Sequence, residues 1–220
     1  MNRFNLLAAS VFLSLLWNCK EPEKQLTVPE KIANANGITD WSKVKELHFT
    51  FNVERGSTHF ERSWIWDPTT DDVTMMMGDE KISYNRNEVD STLVQTDQGF
   101  INDSYWLLAP YKLVWDEGMD YEPVVREPAP ISNDSLNRLT ITYVGDGGYT
   151  PGDGYDFYYD DNYIIREWVY RENNTSAVCM MTTWEDYKNY HGLNLATMHQ
   201  DDTGYFRLFF TDIEVVENTP

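Results

Sequence analysis

Cysteine is nearly absent from this sequence: Cys19 and Cys179 are the only two in 220 residues, which leaves no material for a disulfide framework. Cationic residues are also scarce, with Lys+Arg 17 against Asp+Glu 36 and a formal charge of −19. A field of that sign repels phosphate backbones, so nucleic acid is excluded as a partner. Long apolar runs are missing. The run "LLAASVFLSLLW" from Leu6 to Trp17 would rise only about 18 Å as a helix, against a hydrocarbon core of about 30 Å. GxSxG, P-loop, GxGxxG and HExxH patterns do not occur, so the chemistry those arrangements carry has no support, and no cofactor or metal is expected.

What is present is aromatic. Hydrophobic residues make up 41% of the chain and aromatics 15%, enough to exclude wholesale disorder and to put much of the core in Trp, Tyr and Phe. A chain of this length buries a core without help from metal or disulfide.

Arg3 followed by the Leu6 to Trp17 run has the layout of a secretory leader. It stops at Cys19, and "CKEPEKQLTVPE" follows, polar and proline-containing as a tether would be. Leu16-Trp17-Asn18-Cys19 resembles a bacterial lipobox, in which the cysteine thiol takes a diacylglycerol and becomes the new N-terminus. Trp17 and Asn18 depart from the small residues usual there, a looser pattern that resembles envelope lipoproteins of the Bacteroidota. "CKEPEK" is similar to the acidic surface-export signal some of those carry. The expected division is a signal peptide over 1–18, a lipidated Cys19 with a flexible tether over 19–28, and one folded domain over 29–220. Acyl chains contribute about 0.8 kcal/mol per buried CH₂, so the membrane is the expected partner through the lipid. The localisation implied is the cell envelope, at the outer membrane, on its periplasmic side or at the cell surface. Cys179, in "SAVCMMTTW", is expected to be a buried inert thiol.

Thr27 or Val28 should open a short helix, with Pro29 in its first turn and Gly37 ending it. Alternation then takes over. "HFTFNV" sets Phe49, Phe51 and Val53 on one face; "FERSWIW" groups Phe60, Arg62, Trp64 and Trp66; "RLTITYV" groups Leu139, Ile141 and Tyr143; "GYDFYYDDN" groups Tyr155, Phe157 and Tyr159. The last strand carries Phe206, Leu208 and Phe210 inward and then changes phase to Ile213 and Val215, which predicts a bulge at Thr211 or Asp212. "FINDSYWLLAPYKL" breaks the alternation: Asn102 or Asp103 is a candidate N-cap for a short apolar helix bearing Tyr105, Trp106 and Leu108 on one side, which Pro110 should stop or kink.

These segments together are similar to the LolA-like proteins of the lipoprotein-localisation-factor superfamily. The residues carrying the resemblance are "KIANANGITDWSKVKELHFTFNV", "FINDSYWLLAPYKL", and "TTWEDYKNYHGLNLATMH" leading to "GYFRLFFTDIEV". The resemblance implies a mainly β fold with short helices: a strongly curved antiparallel sheet, an open half-barrel, with an N-terminal helix and a plug helix on its concave side. It also implies an apolar or acyl ligand in a cavity formed by Phe60, Arg62, Trp64, Trp66, Tyr105, Trp106 and Leu108. The superfamily's carriers have an early-strand arginine that helps hold a lid closed, which Arg62 resembles; a guanidinium stacked on tryptophan, or turned to water, is the ordinary alternative.

Other chemistry is thinner. Asp146, Asp153, Asp156, Asp160 and Asp161 are hard oxygen ligands without calcium-loop spacing, and His191 and His199 near Asp201 and Asp202 lack a zinc spacing. Met75-Met76-Met77 alternates between faces of a strand. The expected function is a non-catalytic, lipid-anchored, monomeric envelope lipoprotein binding an apolar ligand. The alternatives are an envelope hydrolase using carboxylates such as Glu61, Glu167 or Asp186, and a purely structural or interaction protein.

Overall fold

Thr27 caps the first helix, α1 (Val28–Ala35), through a complete capping box: its hydroxyl accepts from the Glu30 backbone N–H while the Glu30 carboxylate accepts from the Thr27 N–H. Pro29 sits in the first turn and Gly37, at φ +87°, follows the last. A Cβ at Gly37 would lie 2.0 Å from the Gly192 carbonyl oxygen, so glycine is needed for space as well as for its backbone angle. The structure is a computed structural model and describes residues 25–122, 124–144 and 151–218. Cys19, the leader and most of the tether lie outside the described residues, as does Asp146.

A 3₁₀ turn (Ile38–Lys43) leads into four strands joined by tight turns: β1 (Val44–Arg55), β2 (Thr58–Asp67), β3 (Asp72–Met77) and β4 (Glu80–Asn85). The long helix α2 (Val94–Trp115) follows, and then β5 (Met119–Tyr121), β6 (Val125–Pro128), β7 (Ser135–Tyr143), β8 (Gly154–Tyr159), β9 (Ile165–Arg171) and β10 (Met180–Thr183). The chain closes with β11 (Lys188–Tyr190), β12 (Leu193–Leu195), β13 (Met198–Gln200) and β14 (Phe206–Glu217). All pairings are antiparallel.

Two large sheets result, in the orders β13-β14-β1-β2-β3-β4 and β10-β9-β8-β7-β5, with β6 also on β7 and β11-β12 a separate hairpin. They meet at β10 and β13, where the Thr183 hydroxyl bonds the Gln200 backbone and Glu185 bridges Met198. The outcome is an open, curved antiparallel half-barrel with α1 and α2 against it. The phase change in β14 falls where expected: pairing with β1 slips between His48 and Thr50, and Asp212 takes φ +51°.

The plug helix differs from the expectation. It is 22 residues long, not short; Asn102 and Asp103 lie inside it rather than at its start, and Pro110 neither stops it nor begins its last turn. Every residue from Asp103 to Tyr111 is buried, so this part of the helix is enclosed all round rather than apolar along one stripe. Phe100 packs edge-on against Trp64 and Trp66 of the first sheet, while Tyr105 meets Tyr155 and Trp106 meets Trp168 of the second. Burial on both sides repays the cost of an internal proline. Pro110 has no N–H for the Trp106 carbonyl, so the helix ladder lacks a bond at that turn. Burial holds His199 neutral, its pKa pushed down to about 3. Tyr111 hydrogen-bonds the Asn36 carbonyl, which also accepts from the Asn194 N–H, so α1, α2 and the β11-β12 hairpin are pinned at one atom.

One further expectation is corrected. Cys179 is exposed, because the chain at that point has not yet entered β10. All of β8 is buried, on both faces, because the Ala129 segment folds over Tyr158 and Val169 on the outer side. The histidines do not converge: His199 is enclosed by Trp106, Trp184 and Phe210, and His191 is exposed beside Glu217. No described helix is long and apolar enough to cross a membrane.

Candidate functional site

The register of β14, β1 and β2 builds the site row by row. On the face turned towards α2, Arg55 stands between Phe206 and Thr58, Val53 between Leu208 and Phe60, and Phe51 between Phe210 and Arg62. Four residues along a strand rise about 13 Å, which is the depth from the Arg55 row at the hairpin end to the Arg62 row. Trp106 of α2 and Met180 of β10 stand opposite, and the rows enclose a cavity of about 440 Å³. A second cavity of about 240 Å³, lined by Tyr105, Tyr155, Trp168 and Tyr170, shares Asn102, Trp106 and Met180 with the first. The volume of the first cavity falls within the range of small-molecule pockets.

Its floor is an ion pair. The Asp103 carboxylate, with none of its side chain exposed, accepts from Arg62 Nε at 2.9 Å and Nη2 at 3.0 Å, from Trp64 Nε1 at 2.8 Å and from Asn102 Nδ2 at 3.0 Å. Burial pushes this carboxyl up from its ordinary value, against the opposing pull of Arg62. One helical turn before Asp103, Gly99 makes room for the guanidinium: a Cβ there would sit 2.6 Å from Arg62 Nη1. Arg62 also lies over the Phe60 ring at 5.5 Å and the Trp64 ring at 5.1 Å, so it is directed inward, stacked and paired at once.

Of the residues expected to form the cavity, Phe60, Arg62, Tyr105 and Trp106 line one or both spaces. Trp64, Trp66 and Leu108 do not. Trp64 is behind the wall as a donor to Asp103, Trp66 packs on Trp41 and Phe100, and Leu108 is wholly in the core. The expectation omitted Arg55, Thr58 and Asp103. Strand parity would have found the first two, since Arg55 continues the Phe51 and Val53 series; for Asp103 no local signal exists.

The candidate carboxylates do not form a catalytic pair. Glu61 is exposed on β2 and Asp186 on a turn at φ +52°, whereas Glu167 is buried and accepts from the backbone N–H groups of Ile131 and Ser132. The acidic residues considered for calcium are spoken for by arginines or by loop backbone: Asp156 pairs with Arg171, Asp160 with Arg166 and Asp161 with Arg126, while Asp153 accepts from the Asn173 N–H. Among the described residues no cluster suited to a metal ion occurs.

No family model matches this chain, and no curated protein does. Solved structures do match. A LolA superfamily protein from Nitrosomonas europaea is 9% identical, with 88% of this chain and 93% of that one covered and a TM-score of 0.45. A DUF1329 family protein from Desulfovibrio piger is 9% identical, with 86% and 91% covered and a TM-score of 0.48. A domain from Vibrio parahaemolyticus, described as that of an outer membrane lipoprotein-sorting protein, is 10% identical, with 84% and 91% covered and a TM-score of 0.50. At such identities the likeness speaks for the fold alone: the curved antiparallel sheets around a buried helix form an open half-barrel like that of the Vibrio domain.

Proposed function

We propose that this protein is a non-catalytic envelope lipoprotein that holds an acyl chain or another apolar ligand in the half-barrel, and that Cys19 carries the lipid anchoring it to the outer membrane. The observation that supports the ligand is the cavity of about 440 Å³ walled by Phe51, Val53, Trp106, Phe206 and Leu208, in a molecule whose surface is otherwise strongly acidic. The outer membrane setting is supported by the lipobox-like Leu16-Trp17-Asn18-Cys19 and by the sorting role in the name of the similar Vibrio domain.

Native mass spectrometry of the purified protein tests the ligand: a co-purifying apolar adduct, lost on organic extraction, is the expected result. A protein that is adduct-free and takes up no added fatty acid would point instead to a structural or interaction role. For the anchor, Cys19→Ala should abolish incorporation of labelled palmitate and shift the protein from the detergent phase to the aqueous phase. Unchanged incorporation would refute lipidation at Cys19.

A further inference from the structure

Arg55 stands out by its lack of a partner. In a chain with more than twice as many acidic as basic residues, every other arginine among the described residues has a carboxylate: Arg62, Arg86, Arg126, Arg138, Arg166, Arg171 and Arg207 are all in ion pairs. Arg55 has only the ring of Phe206, 5.5 Å from its guanidinium carbon. Its neighbour Glu54 points to the opposite face and is taken by Arg207 at 3.1 Å. On its own face the adjoining residues are Phe206, Thr58 and Val53, none of them acidic. This cation lines the 440 Å³ cavity at the exposed hairpin end, where β1 turns into β2.

We infer that the ligand is an anionic amphiphile, whose carboxylate or phosphate head is held by Arg55 with the Thr58 hydroxyl and whose apolar tail runs inward. The rows give the order. Behind Arg55 and Thr58 come Val53, Phe60 and Leu208, and then the Arg62 row, where Asp103 already neutralises the second guanidinium. An anion therefore gains nothing by going to the floor, and its place is the rim. The tail runs inward towards Trp106 and Met180, which separate this cavity from the aromatic space between Tyr155 and Tyr170. A planar guanidinium already fixed on an aromatic ring is well suited to a carboxylate or phosphate, since its donors are oriented before the ligand arrives.

This inference rests on the proposed apolar ligand and deepens it. The test is a fluorescence titration of the purified full chain with a sixteen-carbon fatty acid, the monoalkyl phosphate and the alcohol of about the same chain length, alongside inorganic phosphate and acetate. Because a charge-assisted hydrogen bond is roughly twice as strong as a neutral one, the acid and the alkyl phosphate should bind about tenfold or more tighter than the alcohol. Arg55→Gln should bring all three to the alcohol's affinity while leaving the melting temperature unchanged, as befits an exposed side chain. Inorganic phosphate and acetate should not compete at millimolar concentration; competition would mean a free-anion site and overturn the amphiphile. Equal binding of acid and alcohol by the wild type, or an equal loss of both in Arg55→Gln, would overturn the assignment of the head to Arg55 while leaving the apolar cavity intact. If none of the three amphiphiles binds, the proposed function itself fails.

Discussion

Arg62→Met should cost the fold about 3–5 kcal/mol, and Asp103→Asn, which breaks the same pair from the other side, about 1–3 kcal/mol. The asymmetry comes from burial. Asp103 is fully enclosed, while 19% of the Arg62 side chain is exposed. Without Arg62 the carboxylate keeps only the neutral donors Trp64 and Asn102, and a buried charge with no counter-charge is expensive. Without Asp103 the guanidinium still reaches water through the cavity, and an Asn side-chain oxygen still accepts from Trp64. The pH dependence has a definite sign. Burial already raises the Asp103 carboxyl above its unfolded value, and Arg62 pulls the other way. In Arg62→Met that pull is gone, so the folded-state pKa rises further and the folded variant binds a proton more tightly than the unfolded chain does. The stability lost at pH 7 should therefore return at a mildly acid pH, below the raised folded-state pKa, where the carboxyl is protonated. Urea melts of wild type and both variants at the two pH values decide it. Equal costs for the two substitutions, with a wild-type difference independent of pH, would show that the pair is not the strut between β2 and α2. The double variant Arg62→Met/Asp103→Asn should recover much of the loss, since neither charge is then stranded.

That strut is also where sequence reading stopped. Features that depend on a few neighbouring residues were legible: the helix opening at Thr27 with Pro29 in its first turn, the parity of Phe49, Phe51 and Val53, the grouping of Phe60 with Arg62, and the phase change at Asp212. Each is written in a local window, because strand parity and helix caps are local physics. Asp103 was not legible, because the partner that makes an aspartate tolerable in a buried helix is 41 residues away. In a local window, Asn102-Asp103 before an apolar run is a helix start, and Pro110 is a helix end. Both cues were overridden by burial between two sheets, a tertiary effect. Cys179 was misjudged because an apolar window does not show where a strand begins: β10 opens one residue later, at Met180, and leaves the thiol exposed. The cavity was half legible. Parity named its β2 wall, but which of those residues face open space and which face Asp103 depends on where the helix sits.

Trp106→Ala should lower stability by about 3–5 kcal/mol and at the same time join the two cavities into one. Trp106 is 8% exposed, sits in the fully buried stretch of α2, and meets Trp168 edge-on at 4.7 Å and His199 at 5.4 Å. Those contacts are lost together on truncation, and the surrounding rings belong to strands that cannot collapse into the space. The same side chain lines both cavities, so its removal opens a path from the Arg55 rim to the Tyr155 side. The variant should take up a bulkier apolar probe than the wild type does, while Trp106→Phe should restore most of the stability and most of the selectivity. The competing picture is a movable lid, in which α2 swings away to admit ligand; truncation would then cost under about 1 kcal/mol, as for a lightly packed surface site, and would speed ligand exchange without changing probe size. Chemical denaturation and stopped-flow uptake of a fluorescent fatty acid, measured on the same three proteins, separate the two. A large loss of stability together with a larger accepted probe fixes Trp106 as an internal wall and places ligand entry at the hairpin end beside Arg55, rather than through the helix.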